Sequence, residues 1–274
     1  MNLVIHPDTQ QLLESIRANL PQSLLISGKE GIGLLTAATW LAGTHLVATL
    51  QPQDAKENTN SQSGTISVEM IRRLYDQTRA KQSKQQVIII DNADRMSRGA
   101  QGAFLKLLEE PNQHTHFILT SHNPQKLLPT IRSRVEHTAM RALTTQQSSE
   151  FIASLGVTDS VKQTQLQFIA EGLPAELTRL VHDDAYFKEQ ATLMTTARDF
   201  LRGTPYEKLL IIQQYKMNRD GALTLIEWAL HILRRSLSAK PQQTIIAQLE
   251  LLLEIRDNIA SNYNISLQLA RFVL

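Results

Sequence analysis

The spacing of apolar positions changes along this chain. Leu12, Leu13, Ile16 and Leu20 fall near a period of ~3.6, which predicts a helix with Asp8 as its cap and Pro21 beyond its end. Ser23 to Ser27 is a short apolar run closing at Gly28, which reads as a buried strand, and Leu34 to Ala48 reads as an apolar helix. Between residues 51 and 64 the only apolar side chain is Ala55, so this stretch reads as a loop. Ser67 then caps a helix bearing Val68, Ile71, Leu74 and Tyr75. Val87-Ile88-Ile89-Ile90 closes on Asp91; unbroken β-branched character predicts a strand buried on both faces. A helix over 97–110, stopped by Pro111, a strand over 116–120, a short helix over 126–134 and a strand over 135–140 follow. Strand and helix alternate, which predicts a parallel α/β sheet with crossover helices.

After about Arg141 the strand signals stop. Helices are predicted near 144–155, 162–170 and 174–182, then longer ones near 185–202, 205–217, 221–238, 241–262 and 265–274. The expected division is an α/β domain over 1–142, a small helical domain over 143–202 and a helical domain over 203–274. The apolar stripe Leu223, Ile226, Leu230 and Leu233 predicts more apolar surface than one short bundle uses, hence association through 203–274.

Composition narrows the function. Lys and Arg number 28 against 26 Asp and Glu, a formal charge of +2, too balanced to hold nucleic acid by bulk charge. The chain has no cysteine, so disulfides, thiolate metal sites and cysteine nucleophiles are excluded. No run approaches the ~20 apolar residues of a membrane helix, and the first residues do not read as a secretory signal. The expectation is a cytoplasmic protein with no membrane partner.

Gly28-Lys29-Glu30-Gly31-Ile32-Gly33-Leu34-Leu35 follows a strand and opens a helix. Its glycine spacing fits a phosphate-binding loop, whose amide donors sit at a helix N-terminus. The lysine and hydroxyl positions of that loop are Leu34 and Leu35, and Lys29 is misplaced to substitute. As a pattern alone it reads as a glycine turn. Asp91 stands where a nucleoside-triphosphatase keeps a magnesium ligand, with a strand-end capping role equally open. Asn92 follows where a base is needed, and an amide is no general base.

The longest match comes next. Ala103 to Pro111, with Leu107-Leu108-Glu109-Glu110-Pro111, then Phe117 to Thr120, then Thr130-Ile131-Arg132-Ser133-Arg134, resembles the clamp-loader branch of the AAA+ ATPases. That branch holds the bacterial DNA polymerase III delta-prime and gamma/tau subunits. Ile66 to Arg72 and the opening from His6-Pro7 to Gly33 are similar to it too. The likeness is dense over 1–140 and weaker beyond, where it implies a lid and a C-terminal collar that holds a ring together.

Against that family's pattern, Leu34, Leu35 and Asn92 replace the catalytic lysine, hydroxyl and glutamate. His122 stands at the phosphate-sensing position, and Ala175 at the lid arginine. Ser133-Arg134 is kept, followed by Val135 where the family usually has Cys. The resemblance implies a degenerate pocket (Gly28, Gly31, Gly33, Leu34, Leu35, Asp91, Asn92) with an arginine, Arg134, that acts on a neighbour's ATP. It implies gamma/tau and delta subunits, a sliding clamp and primed DNA as partners. No cofactor of its own, no zinc and no metal site are expected. An ATP-binding gamma/tau-like ATPase and a stand-alone repair or recombination factor remain as alternatives.

Residues 66–84 carry five cations against two carboxylates, so Arg72 and Arg73 are DNA-contact candidates, with Arg98 and Gln101 a second pair. A solvated helix face explains the cluster equally well. His114, His116 and His122 invite a metal reading, but no carboxylate or cysteine accompanies them at ligand spacing, so solvated strand-end histidines are favoured. Trp228, among Leu225, Leu230, Ile232 and Leu233, reads as bundle core.

Overall fold

The computed structural model describes residues 3–54, 56–60, 63–78, 84–109, 114–239 and 242–273. Arg79, Lys81, Glu110 and Pro111 from the sequence reading lie outside the described residues. Contacts group the chain into residues 1–181 and 182–274.

The first unit is built on five strands: β1 (Ser23–Ser27), β2 (Leu46–Leu50), β3 (Gln86–Ile90), β4 (Thr115–Ser121) and β5 (Glu136–Ala139). They form one sheet in the order β2-β3-β4-β1-β5 with every pairing parallel. The central strands β1 and β3 are buried at every position, as their unbroken apolar runs require. Successive side chains alternate between two cores. Leu24, Ile26, Val87, Ile89 and Ile118 face α1 (Pro7–Ala18) and α2 (Leu34–Ala42). Leu25, Ile88, Ile90, Phe117 and Leu119 face α3 (Val68–Thr78) and α4 (Arg98–Glu109). The expected α/β class is observed: a parallel sheet with helices on both faces.

Three expectations change. The cap of α1 is His6, whose Nδ1 accepts from the Asp8 N–H at 3.2 Å; Asp8 sits in the first turn. The apolar run 34–48 is not one helix: α2 ends at Gly43, which takes φ +52°, and Leu46–Leu50 continues as β2. The single short helix over 126–134 is a 3₁₀ turn at Pro124–Lys126 and then α5 (Pro129–Arg132). Three helices complete the unit: α6 (Thr145–Ser154), α7 (Ser160–Ala170) and α8 (Pro174–His182).

Among its described residues the second unit is built of helices: α9 (Asp184–Arg202), α10 (Pro205–Tyr215), α11 (Arg219–Ala239), α12 (Gln243–Ala260) and α13 (Ile265–Ala270). Phe200 of α9, Leu225 and Leu230 of α11, and Leu252 and Ile255 of α12 share one core. The stripe on α11 is used inside it: Ile226, Leu230 and Leu233 are buried and Leu223 packs against them. Trp228 packs against the same core, as its helical spacing predicts.

Candidate functional site

Parallel strands place their C-terminal ends on one edge of the sheet, so the loops after β1, β3 and β4 converge there. A cavity of about 490 Å³ opens at this edge. It brings together Gly31, Gly33, Leu34, Leu35, Asp91 and Asn92, with His122 and Ala175. Gln51, Asp94, Arg95 and Lys126 also line it, and the sequence reading did not single them out as site residues.

The loop after β1 turns directly into the N-terminus of α2. Gly31 and Gly33 take φ +83° and +91°, a region that glycine enters without a Cβ clash, and they turn the chain into α2. Gly33 caps α2 with no side-chain hydrogen bond at that end. Its side chains are apolar where a triphosphate needs charge. Leu34 is 3% exposed and belongs to the core with Ile32. Both side chains fold over Gly28, where a Cβ would meet Ile32 Cγ2 at 2.9 Å and Leu34 Cδ2 at 3.4 Å. Lys29 points elsewhere and pairs with Glu171 at 2.9 Å.

The carboxylate that would serve a metal is already bonded. Asp91 Oδ1 accepts from the Thr120 hydroxyl at 2.7 Å, and Oδ2 from the Gln51 amide at 3.2 Å and the Asn92 amide at 3.4 Å. Asn92 takes φ +53°, and its N–H donates to Thr120 Oγ1 at 2.9 Å. The site thus ties the ends of β3 and β4 to Gln51 with neutral donors. At the loop positions that would serve a magnesium–triphosphate, Leu34 and Leu35 bring no lysine or hydroxyl, and the Asp91 carboxylate is already hydrogen-bonded.

Two contacts fix the loop in place. His122 Nδ1 lies 2.9 Å from the Gly28 carbonyl; a carbonyl only accepts, so Nδ1 carries the proton. The Gly31 carbonyl accepts from the N–H groups of Ala175 at 2.9 Å and Glu176 at 3.2 Å, so the loop docks on the first turn of α8. Ala175 offers backbone there, not a guanidinium.

Arg134 stands just beyond α5 at the sheet rim, its side chain 40% exposed. Its Nη1 donates to the Thr130 carbonyl at 3.1 Å, and its Nη2 lies 3.1 Å from Glu109 Oε1. The local carboxylate it meets is Glu109. Ser133 is exposed and its hydroxyl donates back to Thr130 O at 3.1 Å. Arg132 turns to Gln125 Oε1 at 2.7 Å.

The basic candidates separate. Arg72, Arg73 and Arg98 are exposed. Glu69 beside them is held below the usual carboxylate range, first by its own backbone N–H and the Ser67 hydroxyl, then by Arg72 and Arg73. Gln101 is 5% exposed, which corrects its reading as a DNA contact. Its amide donates to the carbonyls of Met96 and Lys126, each at 3.3 Å, and its oxygen accepts from the Leu128 N–H at 2.7 Å. Among the described residues no three His, Asp or Glu side chains group to hold a metal. His116 lies 2.9 Å from the Pro21 carbonyl through Nδ1 and 3.1 Å from the Gln85 amide through Nε2. Among the described residues no helix is long and apolar enough to cross a membrane.

Comparison with known proteins places this geometry. The family model for "DNA polymerase III, delta subunit" matches residues 6–144. The chain is 30% identical to the DNA polymerase III subunit delta' of Pseudomonas aeruginosa over 166 residues, 59% of this chain and 48% of that protein. It is 30% identical to the delta' subunit of Bacillus subtilis over 136 residues, 43% of this chain and 41% of that one. It is 44% identical to the gamma/tau subunit of Mycobacterium bovis over 62 residues, 23% of this chain and 11% of that one. The matches thus span at most about half the length of these relatives. A gamma-subunit-related protein of Thermotoga maritima superposes with a TM-score of 0.54 at 18% identity, covering 96% of each chain. A RuvB variant of the same organism gives 0.51 at 15% identity, over 84% of this chain and 78% of that one. The shared fold is a parallel α/β sheet domain followed by a helical region.

Proposed function

The chain belongs to the DNA polymerase III, delta subunit family, and on that premise we propose that it is a delta-prime-type clamp-loader subunit that does not hydrolyse ATP. Its part in the reaction is to place Arg134 against ATP held by a neighbouring gamma/tau-type subunit, in a ring with a delta subunit that loads a sliding clamp on primed DNA. Residues 143–202 and 203–274 would serve as lid and collar. The observation that carries this reading is the contrast between two sites. Leu34 is folded into the core over Gly28, while Arg134 keeps its charge exposed at the rim. Phosphoryl transfer depends on positioning and charge stabilisation, and Leu34, Leu35 and Asn92 bring no charge, hydroxyl or general base to a triphosphate here. A guanidinium is always charged, and its planar fork of donors suits phosphate oxygens.

Phosphate release from the isolated chain, with and without primed DNA, tests the pocket. We expect none above background, and Leu34→Lys alone to restore none, because Asn92, Ala175 and the occupied Asp91 remain. Turnover comparable to an active gamma/tau subunit, abolished by Asp91→Ala, would favour the ATPase alternative instead. Co-purification with gamma/tau subunits separates the ring role from a stand-alone repair factor.

A further inference from the structure

We propose that Glu109 is a positioning residue for Arg134: its carboxylate, with the Thr130 carbonyl, holds the guanidinium oriented for a phosphate outside this chain. The inference rests on the trans-acting role given to Arg134 above. The two anchors come from different elements, Glu109 from the last residue of α4 and Thr130 from α5. Contacts at Nη1 and Nη2, each at 3.1 Å, fix both the plane and the direction of the guanidinium. Each anchor supplies a single oxygen, so among the described residues the pairing leaves part of the five-donor fork unoccupied. The side chains of Arg134 and Glu109 are 40% and 52% exposed, which leaves the rest of the fork open to an approaching ligand.

The placement of Glu109 is not explained by α4 itself. A carboxylate in the last turn opposes the helix dipole, where a cation is the favourable choice. Lys106 in the same turn meets that preference, while Glu109 pairs with Arg134, and the pairing restricts a long side chain that would otherwise sample many rotamers. An arginine already ordered loses less freedom when it meets phosphate. If the carboxylate instead withheld the arginine, removing it would raise the rate, so the two roles differ in sign.

The test uses the complex reconstituted with its ATP-hydrolysing partner subunits, at matched assembly. Wild type, Glu109→Ala, Glu109→Gln, Arg134→Ala and the Glu109→Ala/Arg134→Ala double variant are compared for kcat and KM with ATP. Glu109→Ala is expected to lower kcat about two- to five-fold, the range of an exposed ion pair, with KM little changed. Glu109→Gln should recover most of the loss, since its amide oxygen still accepts from the guanidinium. The double variant should be no slower than Arg134→Ala alone. With Arg134→Ala impaired, an unchanged or faster Glu109→Ala complex, or an equal Glu109→Ala loss without Arg134, overturns the positioning role alone. An Arg134→Ala complex as active as wild type removes the trans-acting role, and the role of Glu109 with it.

Discussion

Gln101 illustrates how a polar side chain on a basic helix can be interior. Its three hydrogen bonds tie the start of α4 to the turn at 124–128, which leads into α5 and so to Arg134. Gln101→Ala leaves the Leu128 N–H and two carbonyls without partners and is expected to destabilise the chain by ~1–3 kcal/mol, read as a fall in urea midpoint. Arg98→Ala, exposed on the same helix, should stay within ~0.5 kcal/mol. Equal midpoints for the two variants would show that the Gln101 contacts do not hold. The sequence alone could not separate these residues, since Gln and Arg near a helix start look equally solvent-facing. Leu34 shows the opposite limit. The missing lysine is plain from position 34, whereas the fold of Leu34 and Ile32 over Gly28 depends on the core beneath them. Gln51 and Lys126 come to the pocket from loops that no spacing rule connects.

Helix starts carry signals of their own. Thr144 with Gln147, and Thr204 with Glu207, form capping boxes in which each side chain satisfies the other's backbone N–H. Glu207 accepts from the Thr204 N–H at 2.7 Å and its hydroxyl at 2.9 Å, and these bonds hold its pKa below the ordinary Glu value. A depressed carboxylate stabilises the fold above its unfolded pKa, and that contribution is lost as pH falls through the folded value. Glu207→Ala should therefore lower the thermal midpoint at neutral pH, and its difference from wild type should shrink on acidification below the usual Glu range. A gap between the two melting curves that stays constant down to pH ~2 would contradict this assignment. Elements were readable where period and punctuation agree, as in β1, β3 and α4. They were misread at 34–48, where Leu, Val and Ala suit a helix and a half-exposed edge strand alike. Gly43, the residue that breaks the run, sits inside it with no second turn residue beside it.

At the scale of the two units, the alternating first half was readable because a parallel sheet needs buried strands and crossovers, whereas the helical half offers only boundaries. Gly203-Thr204-Pro205 marks a real break between helices, yet packing groups α9 with the helices after it. Ala197 and Phe200 of α9 are fully buried against that core, and Phe200 stacks on Phe272 with ring centroids 5.2 Å apart. A fragment beginning at 203 loses both. Removing one buried phenylalanine side chain typically destabilises a core by ~3–5 kcal/mol, comparable to the whole stability of a small unit. Residues 182–274 are therefore expected to melt cooperatively, and 203–274 to bind a hydrophobic dye and melt without a sharp transition. A cooperative 203–274 fragment with the same midpoint would show that α9 is dispensable to this core. The longer fragment is then the one with which to test association. Its exposed apolar side chains do not include the Leu223–Leu233 stripe; they include Tyr206, Leu209, Leu210 and Met217, at 71%, 50%, 43% and 88% exposure on α10 and the turn after it, with Ile246, Tyr263 and Leu267 elsewhere in the unit. Exposed apolar patches mark interaction surfaces more often than they occur by chance. Leu209→Lys in 182–274 should leave the melt within a few degrees and weaken co-elution with a gamma/tau collar. Undiminished co-elution would place the contact on another face of the unit.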